Sequence, residues 1–132
     1  EQVTVIEWAR YAARQYPELR LLFAIPNGGL RHVITARKLK AEGTKAGVPD
    51  LFLPVARGGY HGIFIEIKTT TGKLSAAQWQ WINALREEDY VAEICYGADK
   101  AIALLENYLH STERRATMPV SCQRKAPAFR QG

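Results

Sequence analysis

From Gln2 to Tyr16 the apolar positions Val5, Ala9, Ala12 and Tyr16 recur at helical spacing, with Ile6 and Ala13 widening the stripe. This pattern predicts a helix that Pro17 stops. The run LRLLFAI, residues 19–25, ends at Pro26-Asn27-Gly28-Gly29 and predicts a buried strand leading into a loop. Between Leu30 and Glu42 the period turns helical again, and Gly43 supplies a C-terminal stop. Arg31, Thr35 and Lys38 share one face of that helix, while Leu30, Ile34 and Ala41 share another. Gly47 gives the next loop its backbone freedom, Pro49 suits a strand entry, and Pro54 keeps the LFL strand short or near an edge. After the ARGGYHG turn, IFIEIKT alternates strictly: Ile63, Ile65 and Ile67 face one way and Phe64, Glu66 and Lys68 the other. GKLSAAQWQWINALREE reads as a helix with Ser75 at its N-cap. YVAEICYG is a further strand and ADKAIALLENYLH a final helix.

Beyond His110 the periodicity gives way to Pro, Arg, Ser and Gln. Residues 1–110 are therefore expected to form one domain, and 111–132 a basic, poorly ordered tail. The order helix, strand, helix, hairpin, helix, strand, helix places the chain in the α/β class, with a mixed β-sheet flanked by helices.

A length of 132 residues with 47% hydrophobic content is enough for one domain with a real core. The net charge of +5 is unevenly spread. Residues 31–73 carry eight bases against Glu42, Asp50 and Glu66, the stretch from Arg86 to Glu106 is acidic, and the tail holds five bases against Glu113. A polarised basic surface of this kind suits a polyanionic partner. Cys95 and Cys122 show neither CxxC spacing nor a paired His, which argues against a zinc site or a disulfide framework, and Cys95 is expected in the core. Nothing resembles a signal peptide or a membrane span, so no membrane association and a cytoplasmic location are expected.

The chemistry concentrates in GVPDLFLPVARGGYHGIFIEIKTTTGKLSAAQ, residues 47–78. An Asp at the entry of one strand and Glu-x-Lys on its hairpin partner can converge, because cross-strand neighbours lie about 5 Å apart. Two carboxylates at that distance resist joint ionisation unless a cation lies between them. Magnesium is commonly held by one or two carboxylates and completes its shell with water and phosphate oxygens. Lys68, on the face of Glu66, can steady an attacking water or offset charge on the transition state. Metal-assisted phosphodiester hydrolysis fits this set; a plain ion pair, across the hairpin or between Glu66 and Lys68, is the alternative reading.

The ordered motifs IPNGGLR, KAGVPDLFL, GIFIEIK, GKLSAAQ and YVAEICYG, within Gln2 to Leu109, resemble the VRR-NUC (virus-type replication-repair nuclease) family. That family belongs to the PD-(D/E)xK nuclease superfamily, and the likeness is to its stand-alone phage and bacterial members. The resemblance implies a restriction-endonuclease-like PD-(D/E)xK core and a deoxyribonuclease dependent on Mg2+ or Mn2+. Asp50 and Glu66 would be the metal carboxylates, the Ile67 carbonyl a third metal ligand, Lys68 the catalytic lysine, and Gln78 a helix residue at the active site. Gln78 also completes a capping box with Ser75, so its position has a structural explanation as well. The family's first-helix Glu falls ahead of Glu1 and is not assigned here. The resemblance further implies branched or junction DNA as substrate, resolved by a homodimer as Holliday-junction resolvases do, in a bacterial or phage-infected host cell. A non-catalytic DNA-binding module that keeps the nuclease fold is the alternative.

Asn27, Gly28, Gly29 and Arg31 are candidates for a phosphate-contacting loop at a helix start. Lys45 and Lys73 flank the Pro-Asp and Glu-x-Lys motifs and are candidates for gripping DNA phosphates. His61 is expected on a surface turn, His32 and His110 offer no partner in the sequence, and Trp8, Trp79 and Trp81 are expected in the core or an interface.

Overall fold

The computed structural model describes residues 1–26 and 33–111. Its elements are α1 (Gln2–Ala12), a 3-10 turn (Pro17–Leu21), β1 (Phe23–Ala24), α2 (Val33–Ala41), β2 (Leu51–Leu53), β3 (Ile63–Lys68), α3 (Ala76–Glu87), β4 (Val91–Tyr96) and α4 (Ala98–Leu109). The strands lie in the order β1-β2-β3-β4. β1 and β2, and β2 and β3, are antiparallel, while β3 and β4 run parallel with α3 as their crossover. The mixed sheet flanked by helices matches the architecture expected from the element order.

Strict alternation in β3 decides how the layers form. Ile63 and Ile65 point to the same side as Leu51 and Leu53 of β2, and all four are buried against Val5 and Ala9 of α1 and Ala101 and Leu105 of α4. Each fully buried Leu or Ile contributes about 1.5–3 kcal/mol. On the opposite face Phe52 stacks on Phe64 at 4.1 Å between ring centroids, with Phe23 and Tyr90 meeting this pair edge-on. Ile82 of α3 is buried as that helix packs against β4. Cys95 is a core residue, and burial, helped by the charge of Glu93, pushes its thiol up to about 11.

The hairpin connection turns through Gly58 and Gly59, both at positive φ, with Arg57 and Tyr60 bridged across them. Arg57 is buried, pairs with Glu18 at 2.5 Å and donates to the Ala56 carbonyl. The Tyr108 hydroxyl donates to the Val55 carbonyl at 2.6 Å and fastens the same connection to α4.

Two expectations change. Only Phe23–Ala24 of the run 19–25 is strand, preceded by the 3-10 turn that Pro17 opens, and Phe23 is 48% exposed. The 3-10 turn takes up the first part of the run, and β1, at the sheet edge, pairs only with β2. His110, which has no partner in the sequence pattern, shares a 2.6 Å hydrogen bond with the Tyr16 hydroxyl, a contact made only when α4 returns beside the end of α1. His61 is exposed on its turn, edge-on to Tyr90. His32 and residues 112–132 lie outside the described residues. Among the described residues no helix is long and apolar enough to cross a membrane.

Candidate active site

Asp50 immediately precedes β2, and extending the pairing Leu51↔Ile65 by one step sets it opposite Glu66 on the same face of the hairpin. The loop before it depends on Gly47. Its φ is +92°, and a Cβ there would lie 2.7 Å from the backbone carbonyl carbon of Ala77, so the loop rests directly on the first turn of α3. Pro49 follows, fully buried. Asp50 is then held at both ends: its Oδ2 accepts the Ile67 N–H at 2.8 Å and its carbonyl accepts the Ile25 N–H at 2.8 Å.

Glu66 is only 3% exposed although it belongs to the polar-looking side of β3. Its Oε2 accepts from Gln78 Nε2 at 3.0 Å and lies 3.8 Å from Lys68 Nζ. Its Oε1 is buried, with no hydrogen-bond partner among the described residues. Burial chiefly, and then the charge of Asp50, push the Glu66 carboxyl up to about 7 against the opposing pull of Lys68. Lys68 remains 19% exposed at its side chain. The turn after β3 folds over its stem, for a Cβ on Gly72 would lie 3.2 Å from Lys68 Cδ.

Gln78 does two things at once. Its Oε1 accepts the Ser75 N–H at 2.9 Å while its own N–H donates to Ser75 Oγ at 3.1 Å, which is the capping box. The amide nitrogen left over is the group that reaches Glu66. Capping and contact with the site, alternatives in the sequence, are therefore satisfied by opposite ends of one side chain.

Two adjacent carboxylates, one of them with an unmet buried oxygen, form an electrostatically incomplete set that a cation would complete. Among the described residues no group of three or more His, Cys, Asp or Glu side chains gathers. The available donor set is thus two carboxylates, which is the count magnesium takes when water and phosphate oxygens supply the rest. The Ile67 N–H donates to Asp50 Oδ2 at 2.8 Å, which sets the Ile67 backbone beside the carboxylates.

Asp50, Glu66, Ile67, Lys68 and Gln78 are therefore brought together. Lys45 and Lys73 are exposed on the loops leading to Asp50 and away from Lys68. Asn27, Gly28, Gly29 and Arg31 lie outside the described residues. Trp8 is partly buried against the core and Trp79 is exposed. Trp81 instead lines a cleft with Ile25, Lys45 and Val48. Its position three residues after Gln78 was the available signal, since that spacing carries it to the same side of α3.

A family model for the VRR-NUC domain matches residues 2–99. A solved structure described as a VRR_NUC domain protein is 31% identical in sequence, with a TM-score of 0.71, over 89% of this chain and 93% of its own. No curated protein matches the sequence.

Proposed function

The chain belongs to the VRR-NUC domain family, and from that membership and the Asp50, Glu66 and Lys68 geometry we propose that it is a metal-dependent DNA endonuclease hydrolysing phosphodiester bonds. The observation that carries this reading is the buried Glu66 carboxyl set against a second carboxylate, Asp50, whose charge helps to raise it. The ion pair that Glu66 makes with Lys68, its neighbour on β3, leaves the crowding of the two carboxylates unrelieved.

Asp50 and Glu66 would hold Mg2+ or Mn2+, with the Ile67 carbonyl as a third ligand. Such an ion, when bound, supplies Lewis-acid polarisation of the phosphate and a more acidic water. The chain's own residues do the remaining work. The Ile67 N–H fixes the rotamer of Asp50, and Gln78 fixes that of Glu66. Lys68, with its ammonium 3.8 Å from Glu66 Oε2, can donate to a water or a phosphate oxygen. Lys45 and Lys73 grip neighbouring phosphates.

The finer part of the proposal is selectivity for branched or junction DNA by a homodimer. A small domain has little surface for reading base sequence, so DNA backbone geometry and shape are its principal cues. The deciding experiment is a cleavage panel of labelled four-way junctions, flaps and duplexes in magnesium, with wild type, Asp50→Ala and Lys68→Ala. Cleavage of branched substrates that both substitutions abolish is expected. Binding without cleavage, unchanged by Asp50→Ala, would instead favour the non-catalytic module. Light scattering checks the dimer, and a monomer without symmetric cuts would overturn the resolvase-like part.

A further inference from the structure

Beside the carboxylates lies a cleft of about 430 Å³, between the end of β1, the turn after α2 and α3. It is lined by Ile25, Pro26, Thr44, Lys45, Val48 and Trp81. Three connections place it next to the candidate active site. The Ile25 N–H donates to the Asp50 carbonyl at 2.8 Å, Val48 stands two residues before Asp50, and Trp81 lies one turn along α3 from Gln78, whose amide holds Glu66. A strand with its phosphate at the carboxylates therefore brings an adjoining nucleotide to the mouth of this cleft.

We propose that the cleft is a nucleobase subsite, in which a base unstacked from the nucleotide next to the scissile phosphate lies against the Trp81 indole. This rests on the nuclease reading for its substrate and adds the means by which shape is read. The lining suits a base better than a phosphate. Indole, Ile, Pro and Val surfaces match the flat apolar face of a heteroaromatic ring, and aromatic stacking tolerates any base. Glu42, also on the lining, repels a phosphate entering the cleft and can accept an N–H from a base edge. Lys45 is exposed at the same cleft and meets the phosphate that stays outside. The base goes in and the backbone passes over Lys45 toward Asp50.

Selectivity follows from the cost of taking a base out of the stack. That cost is least where pairing is already interrupted, at a branch point or a single-stranded arm. A duplex would pay it in full. A small domain with little surface for reading base edges can thus favour branched DNA by requiring one loose base.

The test is fluorescence anisotropy of labelled splayed-arm DNA, whose branch point fixes the register, with one abasic position walked through the strand. Ca2+ replaces Mg2+, so binding is read independently of cleavage. Wild type is expected to lose about tenfold in affinity at one abasic position, the scale of a single lost stacking contact. Trp81→Leu keeps apolar bulk without a stacking ring; it should bind the intact DNA as weakly as wild type binds that abasic strand, and ignore the abasic position. Trp81→Phe should restore most of the affinity. A flat abasic walk in wild type, losses from Trp81→Leu and the abasic position that multiply, or no binding at all would overturn the subsite. The two readings fail separately: the expected walk without cleavage in Mg2+ removes the nuclease and keeps the subsite, and cleavage with a flat walk does the reverse.

Discussion

Gln78 donates its amide to Glu66 at 3.0 Å while the oxygen of the same amide accepts the Ser75 N–H at 2.9 Å. The start of α3 and the orientation of the buried carboxylate are consequently one device. The local capping box sets where the helix begins, and the helix so placed orients the carboxylate.

Substituting Gln78 separates these roles. Gln78→Glu keeps the capping box, because Glu serves at that helix position as well as Gln, but sets a second carboxylate against Glu66 Oε2. It should retain helix content, lower cleavage by one to two orders of magnitude by the usual scale of positioning losses, and shift the acid limb of the pH–rate profile upward. Gln78→Ala should also lose about 1 kcal/mol of cap stability. Cleavage and a pH profile like those of wild type in Gln78→Glu would show that the residue acts as a cap alone.

The pH dependence of stability follows from Glu66. Its folded carboxyl sits at about 7 against an ordinary value of 4.5, so between those values the unfolded chain has released a proton that the folded chain retains. Stability of the metal-free protein should therefore fall as pH rises through that window, by on the order of 3 kcal/mol in total, with the full penalty above pH 7. Glu66→Gln removes the penalty. Denaturant melts should find it more stable than metal-free wild type at pH 8 and little different at pH 4; a wild-type curve flat across the window would refute the assignment.

Metal removal should act on the same pair. Chelation by EDTA is expected to abolish cleavage, and calorimetry with manganese to show a binding heat that disappears in Asp50→Ala and Glu66→Gln. Lys68→Ala should keep that heat and lose cleavage by about 10²–10⁴-fold, the range for a proton-handling or charge-stabilising group. Equal heats in all three variants would place the ion elsewhere.

Gly47 and Gly43 make a controlled pair. Both have positive φ, but a Cβ at Gly43 meets nothing within 4 Å, whereas one at Gly47 strikes the backbone of Ala77. Gly43→Ala should cost about 1–2 kcal/mol of backbone strain alone. Gly47→Ala should cost about 3 kcal/mol or more, from strain together with displacement of α3, and should weaken cleavage by moving Asp50. Equal denaturation midpoints for the two would remove the steric part of this account.

Much of this architecture is decided by neighbours in the chain. Alternation in Ile63–Lys68, the Ser75 cap, the Gly58-Gly59 turn and the Pro-Asp strand entry depend on backbone sterics and side-chain periodicity over a few residues, and each is legible without coordinates. The hairpin that pairs Asp50 with Glu66 is likewise local, so the candidate carboxylates and Lys68 can be named from the sequence.

What only the tertiary structure decided has long-range causes. The run 19–25 is apolar, but only Phe23–Ala24 is strand, at a sheet edge that no local pattern specifies. Glu66 reads as one of the polar residues of an alternating strand, yet burial, and then the charge of Asp50, raise its carboxyl to about 7. Docking of α3 turns Gln78 from a cap into a cap and a clamp, and sets Trp81 beside Ile25 instead of inside the core. Periodicity tells which way a side chain leaves the backbone; solvation and partners depend on what distant segments bring to meet it, and those contacts exist only once the layers have packed.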